Sequence, residues 1–189
     1  MSACLLCIDL INDFLDRQEA EAVAGLVART NALVESFRAA DQPVIWVRQA
    51  FSPDLSDAFL EMRDKGLRVA IAGTPGAEWH PALDRRPSEA VVVKTRYSPF
   101  FGTDLDALLE RLAVSRLVIC GVNTHACVRM AAIDAYQRDY RVVLASDCLG
   151  GHDPEHAVIS LKYMADKIAR LMTNEEIAAA LRQGGLLAS

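Results

Sequence analysis

The chain has 189 residues, 52% of them hydrophobic and 24% charged, enough for one compact domain with a sizeable core. Its formal net charge of −5 lacks the basic footprint that a nucleic-acid partner requires, and no apolar run is long enough to enter a membrane. Five cysteines, an odd number lying mostly in apolar runs, point to a reduced, cytoplasmic chain without a disulfide framework, which leaves a small-molecule substrate as the default partner.

Residues 3–9 open the chain with an apolar run that ends in Asp9. It is too short and too poor in basic flanking residues for a leader, and it reads as a strand buried on both faces. Over 19–40, Val23, Leu26, Val27, Leu33, Val34 and Phe37 recur on one face at helical spacing. A second strand is predicted at 43–48. The stretch 50–87 carries Pro53, Gly66, Gly73, Pro75, Gly76 and Pro81, a long excursion of the kind that walls or covers a pocket. A third strand follows at 90–94. Thr103 ahead of Asp104 and Asp106 has the form of a helix cap with acids in the first turn, and the helix runs to Leu112.

Strand 117–122, helix 124–139 and strand 142–145 come next, and Pro154 suits the first turn of a further helix. Periodicity would let that helix continue through 168–173. Thr173-Asn174-Glu175-Glu176, however, looks like the cap of a new helix, so a short sixth strand is favoured. All-apolar strands alternating with amphipathic helices predict an α/β fold, a three-layer α/β/α sandwich around a parallel sheet, in one domain over 1–189.

In such sheets ligands bind at the carboxyl ends of the strands. Asp9 ends the first strand, Lys94 ends the third, and Cys127 opens the helix after the fourth. A thiol in a first helical turn lies near the positive end of the helix dipole, which favours the nucleophilic thiolate, and nearby free N–H groups would receive an oxyanion. Asp9 would act as the base and Lys94 would hold the carboxylate and stabilise the thiolate. The alternatives are a small core cysteine and a purely structural Asp–Lys ion pair.

Three segments carry a resemblance. Leu6-Cys7-Ile8-Asp9-Leu10-Ile11-Asn12-Asp13-Phe14, the stretch from Val92 through Lys94, Ser98, Phe100, Thr103 and Leu105, and Gly121-Val122-Asn123-Thr124-His125-Ala126-Cys127-Val128 together resemble the isochorismatase-like cysteine hydrolase superfamily, as does Gly73-Thr74-Pro75-Gly76-Ala77-Glu78. The resemblance implies a six-stranded parallel sheet in the order 3-2-1-4-5-6. It also implies a cis peptide at Val122–Asn123 and an oxyanion site from the N–H groups of Asn123 and Cys127. Catalysis would use Asp9, Lys94 and Cys127 through a thioester, with no cofactor, in a homodimer or homotetramer. The presence of Cys127 favours the amide-hydrolysing branch. The absence of histidine after the second strand argues against a nicotinamidase-type metal, and the 94–103 stretch leans towards ureido and N-carbamoyl substrates. Ile11 departs from the family's usual Gln and removes a polar substrate contact. The alternatives are a vinyl-ether hydrolase and a non-catalytic thiol sensor or ligand-binding module.

Phe14, Trp46, Trp79, Tyr97, Phe100, Phe101 and His125 are candidate pocket residues, each with core packing as the alternative. Arg48 and Arg96 would hold a substrate carboxylate or sit at the surface as charges. His125, two residues from Cys127, does not face it on a helix and reads as a pocket or helix-start residue rather than a base. His152, Asp153 and His156 read as a solvated helix start in preference to a metal cluster. Asp147 reads as structural. Cys4 and Cys7 point to opposite faces of their strand, and Cys120 and Cys148 read as packing residues.

Overall fold

The first strand, β1 (Ser2–Ile8), is buried from Ala3 onward because it runs through the middle of the sheet and has neighbours on both sides. The structure is a computed structural model that describes residues 2–165 and 167–184. After β1 come the short helix α1 (Asn12–Leu15), the long helix α2 (Ala20–Ala39) and strand β2 (Val44–Gln49). α2 buries Val23, Leu26, Val27, Leu33, Val34 and Phe37, the face that its periodicity marks.

The excursion after β2 holds a short helix, α3 (Leu60–Lys65), which ends at Gly66 in the left-handed conformation, and a single 3₁₀ turn at Pro75–Ala77. Strand β3 (Ala90–Lys94) and helix α4 (Leu105–Arg111) follow. The N-cap position of α4 falls on Asp104, one residue later than the spacing predicts, and the Thr103 hydroxyl beside it accepts the Leu105 N–H at 3.2 Å.

Strand β4 (Val114–Gly121), helix α5 (Arg129–Gln137), strand β5 (Arg141–Leu149), helix α6 (Pro154–Ala165), strand β6 (Ala169–Met172) and helix α7 (Asn174–Arg182) complete the order. The predicted helix 124–139 is thus divided: Thr124–Val128 is a π-helical turn, and the α-helix proper begins at Arg129. The sixth strand forms because Thr173 breaks the helical path. Its hydroxyl accepts from Glu176 N–H while the Glu176 carboxylate accepts from Thr173 N–H at 2.8 Å, a reciprocal cap that starts α7.

The sheet is parallel throughout, in the order β3-β2-β1-β4-β5-β6. Each central strand feeds both faces. From β1, Leu5 and Cys7 enter the core beneath α2 and α7, while Cys4, Leu6 and Ile8 enter the core beneath α4, α5 and α6. Cys4 and Cys7 therefore do lie on opposite faces. A third apolar cluster, Ile11 with Phe51, Leu55, Ala58, Ala70 and Ile71, fixes the excursion over the carboxyl edge of the sheet.

Candidate active site

Asp9 stands one residue past the end of β1 with φ of 53°, a left-handed turn that lets its side chain bend across the strand ends. The carboxylate is fully buried. Oδ1 accepts the Gln49 N–H at 2.6 Å and Oδ2 accepts from Lys94 Nζ at 2.7 Å. Lys94 closes β3, the edge strand, and Gln49 is its register partner on β2, so the Asp9 carboxylate spans the width of β2. Lys94 Nζ also donates to Arg96 O at 3.1 Å and lies 3.4 Å from Cys127 Sγ. The acid, the ammonium and the thiol predicted from three distant segments meet at one point.

Cys127 sits in the π-helical turn at the end of β4. Gly121 makes that turn possible. Its φ is 115°, and a Cβ there would lie 2.0 Å from the Ile8 carbonyl oxygen, so only glycine lets the loop pass this close to β1. The peptide between Val122 and Asn123 is cis, as the resemblance implies. Thr124 N–H and its hydroxyl both donate to Gly150 O at 2.9 Å, which fastens the loop to the end of β5.

The electrostatics correct one expectation. Burial pushes the Cys127 thiol up, the Asp9 charge pushes it further, and Lys94 only partly offsets them, so the resting group holds its proton. A helix start does not prevail over desolvation at a site 2% exposed. Burial pulls Lys94 down, but the charge and hydrogen bond of Asp9 outweigh it, and the group is raised and stays an ammonium.

The sulfur borders a cleft of about 550 Å³. Of the candidate pocket residues, Phe14, Tyr97 and His125 line it. Four others do not. Trp46 faces the α2 side of β2, where its indole N–H donates to Glu89 at 2.7 Å. Trp79 meets Trp46 edge-on at 5.8 Å under the Arg85 guanidinium. Phe100 packs in the opposite core with Tyr140 at 6.3 Å, and Phe101 is 65% exposed and outside the cleft.

Phe51, Phe59, Leu60, Met62 and Val69 instead form the apolar wall, with Arg17, Gln49 and His152 among the polar lining. The sequence marks their segment as a pocket wall but does not single them out, because α3 is a short helix among Gly and Pro. Phe51, Phe59 and Tyr97 form a ladder, with ring centres 5.8 Å and 5.0 Å apart.

The two candidate arginines are engaged elsewhere. Arg48 donates to Ala77 O at 3.3 Å and pairs with Glu78, outside the cleft. Arg96 donates to Asp57 O at 2.8 Å and stacks on Phe59, so it holds the excursion in place and does not face a substrate. Asp147 accepts Asn174 N–H at 2.8 Å, a structural tie from β5 to α7. Asp153 caps α6 through His156 N–H at 2.9 Å and contacts the His156 ring at 2.8 Å. Among the described residues, no group of three or more His, Cys, Asp or Glu side chains is placed to hold an ion.

A six-stranded parallel sheet in this order, flanked by helices, is the isochorismatase-like α/β fold. The model of the isochorismatase domain matches residues 3–176. The isochorismatase family protein YecD of Escherichia coli O157:H7 is 32% identical over 158 residues, covering 82% of this chain and 83% of that protein. A maleamate amidohydrolase of Pseudomonas putida is 29% identical over 157 residues, covering 83% and 67%. Among solved structures, an isochorismatase family protein from Desulfovibrio vulgaris superposes with a TM-score of 0.86 at 31% identity, over 96% of this chain and 98% of that one. An N-carbamoylsarcosine amidase from Thermoplasma acidophilum gives a TM-score of 0.79 at 27% identity, over 93% and 98%. The chain belongs to the isochorismatase family, whose members include amidohydrolases.

Proposed function

We propose that this protein is a cysteine-dependent amidohydrolase that cleaves the C–N bond of a small amide or ureido compound. One observation carries the reading: Cys127 Sγ, Lys94 Nζ and Asp9 Oδ2 form a chain of contacts at 3.4 Å and 2.7 Å beside the cleft. The amidases among the relatives support it.

The buried thiol is protonated at rest, so attack and proton transfer run together. The Asp9 carboxylate takes the Cys127 proton as Sγ bonds to the substrate carbonyl carbon. The backbone N–H groups of Asn123 and Cys127 receive the oxyanion. The tetrahedral intermediate collapses, the C–N bond breaks, and Asp9 returns the proton to the departing ammonia or amine. In the second half Asp9 takes a proton from water as its oxygen attacks the thioester. The C–S bond then breaks, and the sulfur regains its proton from Asp9. Lys94 keeps its charge throughout and offsets the negative charge that moves between the Asp9 carboxylate and the oxyanion as the proton is exchanged.

The test is ammonia release from a panel of small amides and ureas, together with mass spectrometry of the protein during turnover. The expected result is ammonia and a substrate-sized thioester adduct on Cys127, both absent in Cys127→Ala, whose turnover falls by at least about a thousandfold while its fold persists. Vinyl-ether cleavage without ammonia would overturn the reading in favour of an ether hydrolase. Reversible Cys127 oxidation with no adduct from any substrate would favour a thiol sensor.

A further inference from the structure

The charges around the cleft do not balance. Asp9 and Lys94 neutralise one another. The one carboxylate among the cleft-lining residues, Glu61, is held by Lys65 at 2.6 Å. The nearby Asp153 is taken up by His156. Arg17, an exposed side chain in the turn after α1, lines the cleft, and no described residue pairs or hydrogen-bonds with its guanidinium.

Two imidazoles share the lining. His152 leans on the Asn123 side chain at 3.2 Å, and its ring meets the His125 ring at 5.3 Å. Nδ1 of His125 is buried without a hydrogen-bond partner among the described residues. Burial and the neighbouring His152 hold His125 below the ordinary histidine range, so near neutral pH it is an uncharged donor or acceptor. Among the described residues, the cleft therefore offers the permanent positive charge of Arg17 and an unpaired ring nitrogen, and no free negative charge.

Resting on the amidohydrolase reading, we infer that the substrate is an amide or ureide bearing a carboxylate at the end remote from the scissile bond, and that Arg17 is the specificity residue that holds this group, with His125 as its second contact. A single guanidinium matches the single charge of a carboxylate and presents two parallel N–H donors to its two oxygens. The apolar wall of Phe51, Phe59 and Met62 suits the short carbon chain between the two ends. The assignment moves the anion-binding role from Arg48 and Arg96, both engaged elsewhere, to an arginine whose donors are unused.

The test uses ω-amido acids of three to five carbons, malonamate, succinamate and glutaramate, each beside its neutral diamide. The expected result is kcat/KM about 10- to 100-fold higher for at least one acid than for its diamide. Arg17→Gln brings that ratio towards one, mainly through KM, and Arg17→Lys restores part of it. Turnover of both compounds with no preference, or a preference that Arg17→Gln leaves intact, overturns the subsite while the amidohydrolase reading stands. Calorimetry on Cys127→Ala separates the converse case. Acid-selective binding that Arg17→Gln removes keeps the subsite even if no compound is hydrolysed. Absence of binding by every acid in that protein, with no turnover, overturns it.

Discussion

At Cys127 desolvation and the Asp9 charge act against Lys94, and the structure resolves the contest in favour of the protonated thiol. The thiolate fraction of a group titrating above the working range rises about tenfold per pH unit. Iodoacetamide labelling of the free protein at Cys127 should therefore climb through about pH 7 to about pH 9 without levelling off. A plateau below about pH 8, read by peptide mass spectrometry, would mean that the loop stabilises the anion after all. A thiol that keeps its proton longer folded than unfolded stabilises the fold fully below its ordinary value of 9.0, and that contribution is lost as the pH rises.

Asp9 and Lys94 form the other decisive pair at this scale. Both side chains are fully buried, so removing one leaves the other's charge without compensation. Lys94→Met should cost about 3–5 kcal/mol in urea unfolding, and the double variant Asp9→Asn with Lys94→Met should recover part of that loss. Additive losses in the two single variants would show that the pair is not coupled.

At the scale of elements, the excursion between β2 and β3 makes the cleft, and polar ties to α1 and to the segment after β3 hold it beside its apolar cluster. Asp13 Oδ2 accepts Ala70 N–H at 2.7 Å, Arg96 reaches Asp57 O, and Asn12 donates to Pro75 O at 2.8 Å. Gly76 packs so tightly on Asp13 that a Cβ would fall 2.2 Å from Oδ1. Gly76→Ala should push the Asp13 carboxylate off Ala70 and loosen the wall that carries Phe51 and Phe59. A loss of about 1–3 kcal/mol is expected, with faster proteolysis inside residues 50–87. Unchanged cleavage there would separate Asp13 from the anchoring of this segment. α7 depends on a local device instead. Thr173→Ala removes half of its reciprocal cap and should cost about 1 kcal/mol.

Over the whole molecule, the strands couple the two cores. β1 and β4 send alternate residues to either face, so neither layer of helices can leave without exposing the other. Both tryptophans pack on the α2 side, Trp46 within that core and Trp79 against it, while helices on both sides report by circular dichroism. Urea unfolding should give coincident fluorescence and dichroism transitions, and separated midpoints would contradict the shared-sheet account. No helix among the described residues is long and apolar enough to cross a membrane.

The sequence by itself determined the parallel sheet, the sixth strand, and the three residues that gather at its carboxyl edge. Buried strands must be apolar throughout, and an Asp or Lys at the end of such a strand needs a partner, so these features are written in local pattern. The tertiary structure decided the rest. It set Trp46, Trp79, Phe100 and Phe101 away from the cleft and supplied Phe51 and Phe59 in their place. It committed Arg48 and Arg96 to the excursion and left Arg17 at the cleft without a partner among the described residues. Which face a side chain takes at a strand end, and which charges find partners, depend on chain segments brought together only by folding. No local spacing encodes that, because the energies that settle it are desolvation and pairing across the assembled cleft.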